Sequence, residues 1–259
     1  MQIASIPLSR SIAFLWGKIL SHYNIGKQII QGFSPLFSLP FGVYSAPYLA
    51  IIGISAFRSD HMDFSFNIYN RYAADGLTMA LEKLISSPTL QKKGRAGVDI
   101  NLPPVIVCVG SDLAIGDSLG PIVGSMLSHK TQGLSVFLYG TLSSPVTAKE
   151  IRYTRQFLKE THQHRLTIAV DAAVGAAGDI GLIKATDAPL SPGSGAGKKL
   201  GFVGDISLMG IVAEKSVGNY GLLNTTRLNL VYSMAEIISA SLSDLLWEKY
   251  SFTRTRGVN

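Results

Sequence analysis

The run P-V-I-V-C-V-G at residues 104–110 constrains the fold more than any other part of this sequence. Its apolar residues, Val105 to Val109, leave no polar side for solvent. A run this short and this rich in β-branched residues predicts a strand buried on both faces, the kind found inside parallel sheets with helices on either side. Downstream of it the chain alternates. Ser118 to Ser128 reads as a helix with Pro121 in its first turn, where proline costs little. Leu134 to Leu138 reads as a strand, and Thr147 to Glu160 as a helix with Thr147 as cap and Glu150 three residues on. Leu166 to Val170 reads as a strand ending at Asp171, and Ile180 to Ala185 as another. Ile206 to Ala213 fits either strand or helix, and Thr225 to Leu246 is a long apolar-faced helix. Upstream, residues 69–86 carry helical spacing that Ser87-Pro88 ends. This order predicts an α/β layer fold with a largely parallel, twisted sheet.

The first 61 residues differ from the rest. No charged side chain lies between Lys27 and Arg58. Pro35, Pro40 and Pro47 interrupt that window, and the apolar piece Tyr48–Phe57 is too short to span a bilayer. Two expectations stand for residues 1–61: a Pro/Gly-containing extension that contacts a membrane through residues 28–57, or a segment foreign to a domain that starts at Met62. Residues 62–250 form the domain and 251–259 a basic tail. The net charge is +6, yet its clusters (Arg10, Lys18, Lys27; Lys92, Lys93, Arg95; Lys249, Arg254, Arg256) have no interleaved aromatics. That composition predicts a solvated basic surface and no nucleic-acid partner. The single cysteine, Cys108, forms no disulfide within the chain, which fits a reducing, cytoplasmic compartment.

G-D-S-L-G at 116–120 matches the nucleophile-elbow pattern around Ser118. A serine hydroxyl needs a base, usually histidine, and in elbow hydrolases that histidine follows the acid. The histidines here are His22, His61, His129, His162 and His164, none of them late in the chain. A loop also separates the strand from Ser118. Ser118 is therefore expected to cap or open a helix. "PGSGAGKKLG" at 192–201 misses the phosphate-loop pattern at Pro192 and Lys199. His162 and His164, flanking Gln163, could pair on a metal.

Two acids remain. In parallel sheets ligands sit beyond the carboxyl ends of the strands. Asp117 follows the 105–109 strand by one loop, and Asp171 ends the 166–170 strand. Two carboxylates sharing a site push their pKa values apart, so that one holds a proton while the other accepts one. Such a pair can activate water against a peptide carbonyl or hold a divalent metal. The alternative is structural, with Asp117 capping a helix and Asp171 satisfying loop amides.

The blocks "VIVCVGSDLAIGDSLGPIVGSML", "YGTLSSPVTAKEI", "IAVDAAVGAAGDIGLI", "VGDISLMGIV" and "NTTRLNLVYSMAEII" resemble the YyaC-type sporulation proteins, a group also described as spore proteases. The resemblance covers roughly residues 69–242. It implies kinship with the hydrogenase maturation proteases and the spore germination protease, hence a three-layer α/β/α sandwich. It also implies a peptidase acting on a peptide or protein substrate in the cytoplasm of a sporulating cell, mother cell or forespore. D-S-L-G-P places Asp117 on the first catalytic aspartate of the germination proteases, and V-D-A places Asp171 on the second. In hydrogenase maturation proteases the same two positions bind nickel together with a histidine. No histidine follows Asp171 here, and Asp205 in G-D-I-S is the nearest polar candidate for that third place. Gly193, Gly195 and Gly197 are expected to wall or cover a substrate cleft, or else to form a plain surface loop. The alternative to an enzyme is a non-catalytic binding or scaffold protein of the sporulating cell that keeps the protease fold.

Overall fold

The structure is a computed structural model, which describes residues 53–54, 61–93, 97–193, 200–215 and 226–251. All of these belong to the unit Ala46–Asn259. In chain order the strands are β1 (Gly53–Ile54), β2 (Asp63–Asn67), β3 (Val105–Cys108), β4 (Phe137–Tyr139), β5 (Thr167–Gly175), β6 (Leu182–Thr186) and β7 (Ile206–Glu214). The helices are α1 (Ala73–Ile85), α2 (Pro88–Lys93), α3 (Leu119–Lys130), α4 (Ile151–Thr161) and α5 (Leu228–Tyr250). One mixed sheet holds the strands in the order β1-β2-β6-β7-β5-β3-β4. Strands β7, β5, β3 and β4 are parallel neighbours. On the other side β6, β2 and the two-residue β1 add antiparallel pairs. The edge strand β1 comes from residues that precede Met62.

Alternation along the strands sorts two cores. Ile106 and Cys108 of β3, Ile168 and Val170 of β5, and Ile206 and Leu208 of β7 face a layer built from α1, α3 and α5. Leu77, Leu81, Leu84, Leu119, Leu127, Ile238 and Leu242 supply that layer with fully buried side chains. Truncating one of them to alanine removes its transfer energy and leaves a cavity, a loss of about 2–5 kcal/mol. The opposite face of the sheet carries Val105, Val107, Val109 and Ala169. Ile151 and Leu158 of α4 cover it, together with Leu190 and Val203, which bridge one another. The three layers are therefore unequal, three helices against one.

Several elements differ from their sequence-based bounds for identifiable reasons. β5 continues past Asp171 to Gly175 because β7 runs beside it to Glu214, with a register shift after Ala173. The segment 206–214 is a strand, and its Gly210 leaves room for Leu119 and Met234, whose atoms would lie within 3 Å of an added Cβ. α4 starts at Ile151 because residues 147–150 form a turn in which the Glu150 carboxylate accepts the backbone N–H of Thr147 at 3.1 Å. Pro88 ends α1's run and opens α2, consistent with its fixed φ and missing N–H. The expected membrane segment, apart from Gly53–Ile54, lies outside the described residues, as does the tail from 252. Among the described residues no helix is long and apolar enough to cross a membrane.

Candidate functional site

Two glycines set the segment that carries Asp117. Beyond β3 the chain turns at Gly110, whose φ is +144° and whose added Cβ would stand 2.1 Å from the carbonyl oxygen of Asp117. An L side chain there meets both a strained backbone and a collision. The loop closes back on itself, with Ser111 N–H donating to Asp117 O at 3.0 Å. A 3₁₀ turn, Ile115–Ser118, then leads into α3. A Cβ at Gly120 would stand 2.0 Å from Val109 O, so only glycine lets the first turn of α3 rest on the end of β3. Pro121 sits in that same turn, where its missing N–H has no helical partner to lose.

Asp171 reaches the same end of the sheet from the neighbouring strand. Val109 N–H donates to Val170 O at 2.7 Å, so β3 and β5 are locked together immediately before Asp171. The Asp171 side chain is buried, 7% exposed, and its Oδ1 accepts the Ala172 N–H at 2.8 Å. Burial raises its pKa well above the ordinary carboxylate range, the negative charge of Asp117 raises it further, and the Ala172 hydrogen bond opposes both. The two acids, 54 residues apart in the chain (171 − 117), thus act on each other electrostatically. Across the sheet, Asp171 pairs with Met209 and Met209 with Lys184. The Lys184 ammonium is engaged by Asp179 at 3.0 Å.

Other residues singled out in the sequence go elsewhere. Asp205 lies at the amino end of the sheet, where its Oδ2 accepts the Thr167 N–H at 2.9 Å and its own N–H donates to Thr167 O at 2.8 Å. Thr167 precedes Asp171 by four residues on β5, about 13 Å along a strand. The structure therefore does not bring Asp205 to the Asp117–Asp171 pair. Gly193 follows Leu190, whose bridge to Val203 lies just before β7, again toward the amino end. Gly195 and Gly197 lie outside the described residues. Ser118 is buried, and its hydroxyl donates to Ile115 O at 2.7 Å. It stands at the start of α3 but makes no capping bond forward into that helix, so the expected cap is replaced by a backward one. Cys108 is fully buried in β3, and burial raises its thiol pKa. His162 shares a 2.8 Å hydrogen bond with Tyr139 Oη among the rings of Phe137 and Phe157, while His164 Nδ1 contacts Gly97 O at 3.1 Å. The two rings thus take different partners. Among the described residues no group of three or more His, Cys, Asp or Glu side chains gathers.

One buried acid had no signal in the sequence. Asp187, 2% exposed, follows β6, and its Oδ1 accepts the Met62 N–H at 2.9 Å and lies 3.1 Å from His61 Nδ1. The partners are more than 120 residues apart, so no local spacing could reveal them.

Comparisons with known proteins agree with the likeness to the YyaC-type proteins. The model of a family described as "Protein of unknown function (DUF1256)" matches residues 78–241. The "Uncharacterized protein YyaC" of Bacillus subtilis (strain 168) is 42% identical over 142 residues, 54% of this chain and 68% of that protein.

Proposed function

The chain belongs to the DUF1256 family, and from that footing we propose that it is a sporulation-associated peptidase whose Asp117 and Asp171 activate water against a peptide bond. One observation supports the reading: a carboxyl buried midway along the central parallel strand β5, where its neighbour β3 ends, feels the charge of Asp117 on the adjacent loop. Two acids that interact make a proton easier to hold on one of them.

The burial of Asp171 supports one division of roles. On this reading Asp171, whose pKa burial raises, carries the proton, and Asp117, half-buried, is the group that accepts one. Asp117 takes a proton from water as the water oxygen attacks the peptide carbonyl carbon. Asp171 gives its proton to the carbonyl oxygen, and the resulting tetrahedral centre bears two hydroxyls. Asp117 then passes its proton to the leaving nitrogen while Asp171 recovers one from a hydroxyl, which restores the carbonyl as a carboxylic acid. The C–N bond breaks, one water is consumed, and the pair returns to its starting charge. As coupled groups, the two carboxyls titrate together, and activity follows the window in which they share one proton.

The full chain, incubated with a mixed peptide library and read by mass spectrometry, should cleave peptides. Asp117→Asn and Asp171→Asn should each lower the rate by about 10²–10⁴-fold, while Ser118→Ala should retain it. Repeating the assay with divalent cations added or chelated separates a metal-holding use of the same carboxylates. Absence of cleavage by a folded protein would reject the peptidase and favour the non-catalytic binding protein.

A further inference from the structure

We propose that the substrate binds as an added β-strand along the edge of β5 formed by Ala172–Val174, which delivers its backbone to the Asp117–Asp171 pair; this rests on the peptidase reading above. Backbone direction carries the argument. Val170 O accepts from Val109, so the polar groups of Val170 point toward β3. Gly175 O accepts from Lys215 N–H at 2.7 Å, so those of Gly175 point the other way, toward β7. The same alternation turns Ala172 and Val174 toward the β3 side.

β3, however, stops. Its last bond to β5 is made by Val109, after which the chain bonds to Val146 on its far side and turns away at Gly110. Among the described residues no strand pairs with β5 on this side beyond that point. The Ala172 N–H is taken by the Asp171 carboxyl. Among the described residues, the Ala172 carbonyl and both polar groups of Val174 form an edge without a strand partner, whose natural complement is an extended backbone. That edge begins one residue past Asp171, and the 3₁₀ turn with Asp117 packs beside β5. The rim is apolar. Leu113 is 90% exposed and Ile115 38% exposed on the same loop as Asp117. Such an edge takes its affinity from main-chain hydrogen bonds and its preference from alternate side chains. The substrate class is therefore an unfolded or unstructured segment with apolar residues at alternate positions.

The test uses the full chain and immobilised random octapeptides. The best binders are then N-methylated one residue at a time, and affinity is read by fluorescence anisotropy. Loss of a backbone donor should weaken binding by about tenfold at two positions, two residues apart, and little at the others. Leu113→Ser and Ile115→Ser should weaken binders with apolar residues and leave polar ones alone. Loss without a two-residue period, or no binder at all, would overturn the proposal. The same peptides are assayed for cleavage. Alternation without cleavage keeps the strand edge and rejects the peptidase. Cleavage without alternation keeps the peptidase and rejects the edge.

Discussion

Asp171 and Asp187 are both buried, and the sheet holds them near opposite ends. Asp171 sits midway along β5, beside the carboxyl end of β3, and the charge of Asp117 acts on it. Asp187 follows β6, which runs antiparallel to β7, so it emerges at the amino end of the parallel set. There His61 and the Met62 amide satisfy one of its oxygens. Asp205 belongs to the same end and gives its carboxylate to the Thr167 amide. The difference shows how one residue type serves two purposes. At the amino end carboxylates complete hydrogen bonds that the backbone would otherwise leave open. At the carboxyl end a carboxyl is held in a state that costs the fold something, which is how reactive groups are kept ready.

Substitutions should separate the two ends by the sign of their effect. The largest stability change belongs to Asp187→Ala, which removes a buried acceptor for the Met62 amide and for His61. Chemical denaturation should show a loss of about 1.5–3 kcal/mol, and peptide cleavage should survive in whatever fraction stays folded. An unchanged stability would place Asp187 outside the structural group.

Asp171→Asn should go the other way. A carboxyl whose pKa is raised on folding binds more protons in the folded than in the unfolded state, so stability falls as pH rises from the unfolded pKa to the folded one. Within and above that window the carboxyl costs the folded state free energy, and the amide removes the cost. Thermal melts at neutral pH should therefore show a higher Tm for Asp171→Asn, by about 2–4 °C for each kcal/mol recovered. The gain should vanish toward pH 3–4, roughly the ordinary aspartate range. A lower Tm at neutral pH would mean that Asp171 is held as a structural carboxylate.

The smallest effect is expected for Asp205→Asn, which keeps an oxygen acceptor for Thr167. Stability should fall by no more than about 1 kcal/mol, with cleavage unchanged. Loss of cleavage from this substitution would return Asp205 to the reactive site.

The fold is legible where physics is local. The V-I-V-C-V run can hardly be anything but a doubly buried strand, and it is β3. Asp117 and Asp171 stand out because each follows an apolar run that reads as a strand, at the end where parallel sheets bind ligands. The same rule bears on Asp205. It precedes β7 rather than following it, so its place at the amino end is available in the G-D-I-S order. β5 is longer than its sequence suggests because A-A-V-G after Asp171 offers little β-branching, and its strand state comes from pairing with β7. The Asp187–His61 contact depends on residues far apart in sequence, as does the edge at Ala172–Val174, unpaired by any strand among the described residues because β3 is shorter than β5.

The central claim is that Asp117 and Asp171 share one electrostatic site. A ¹³C titration of aspartate carboxyls, assigned through Asp171→Asn and recorded again in Asp117→Asn, measures it. The account predicts that the Asp171 carboxyl titrates well above the ordinary aspartate range and moves back toward it when Asp117 loses its charge. A carboxyl that titrates in the ordinary range, or one that ignores the Asp117 substitution, would contradict it.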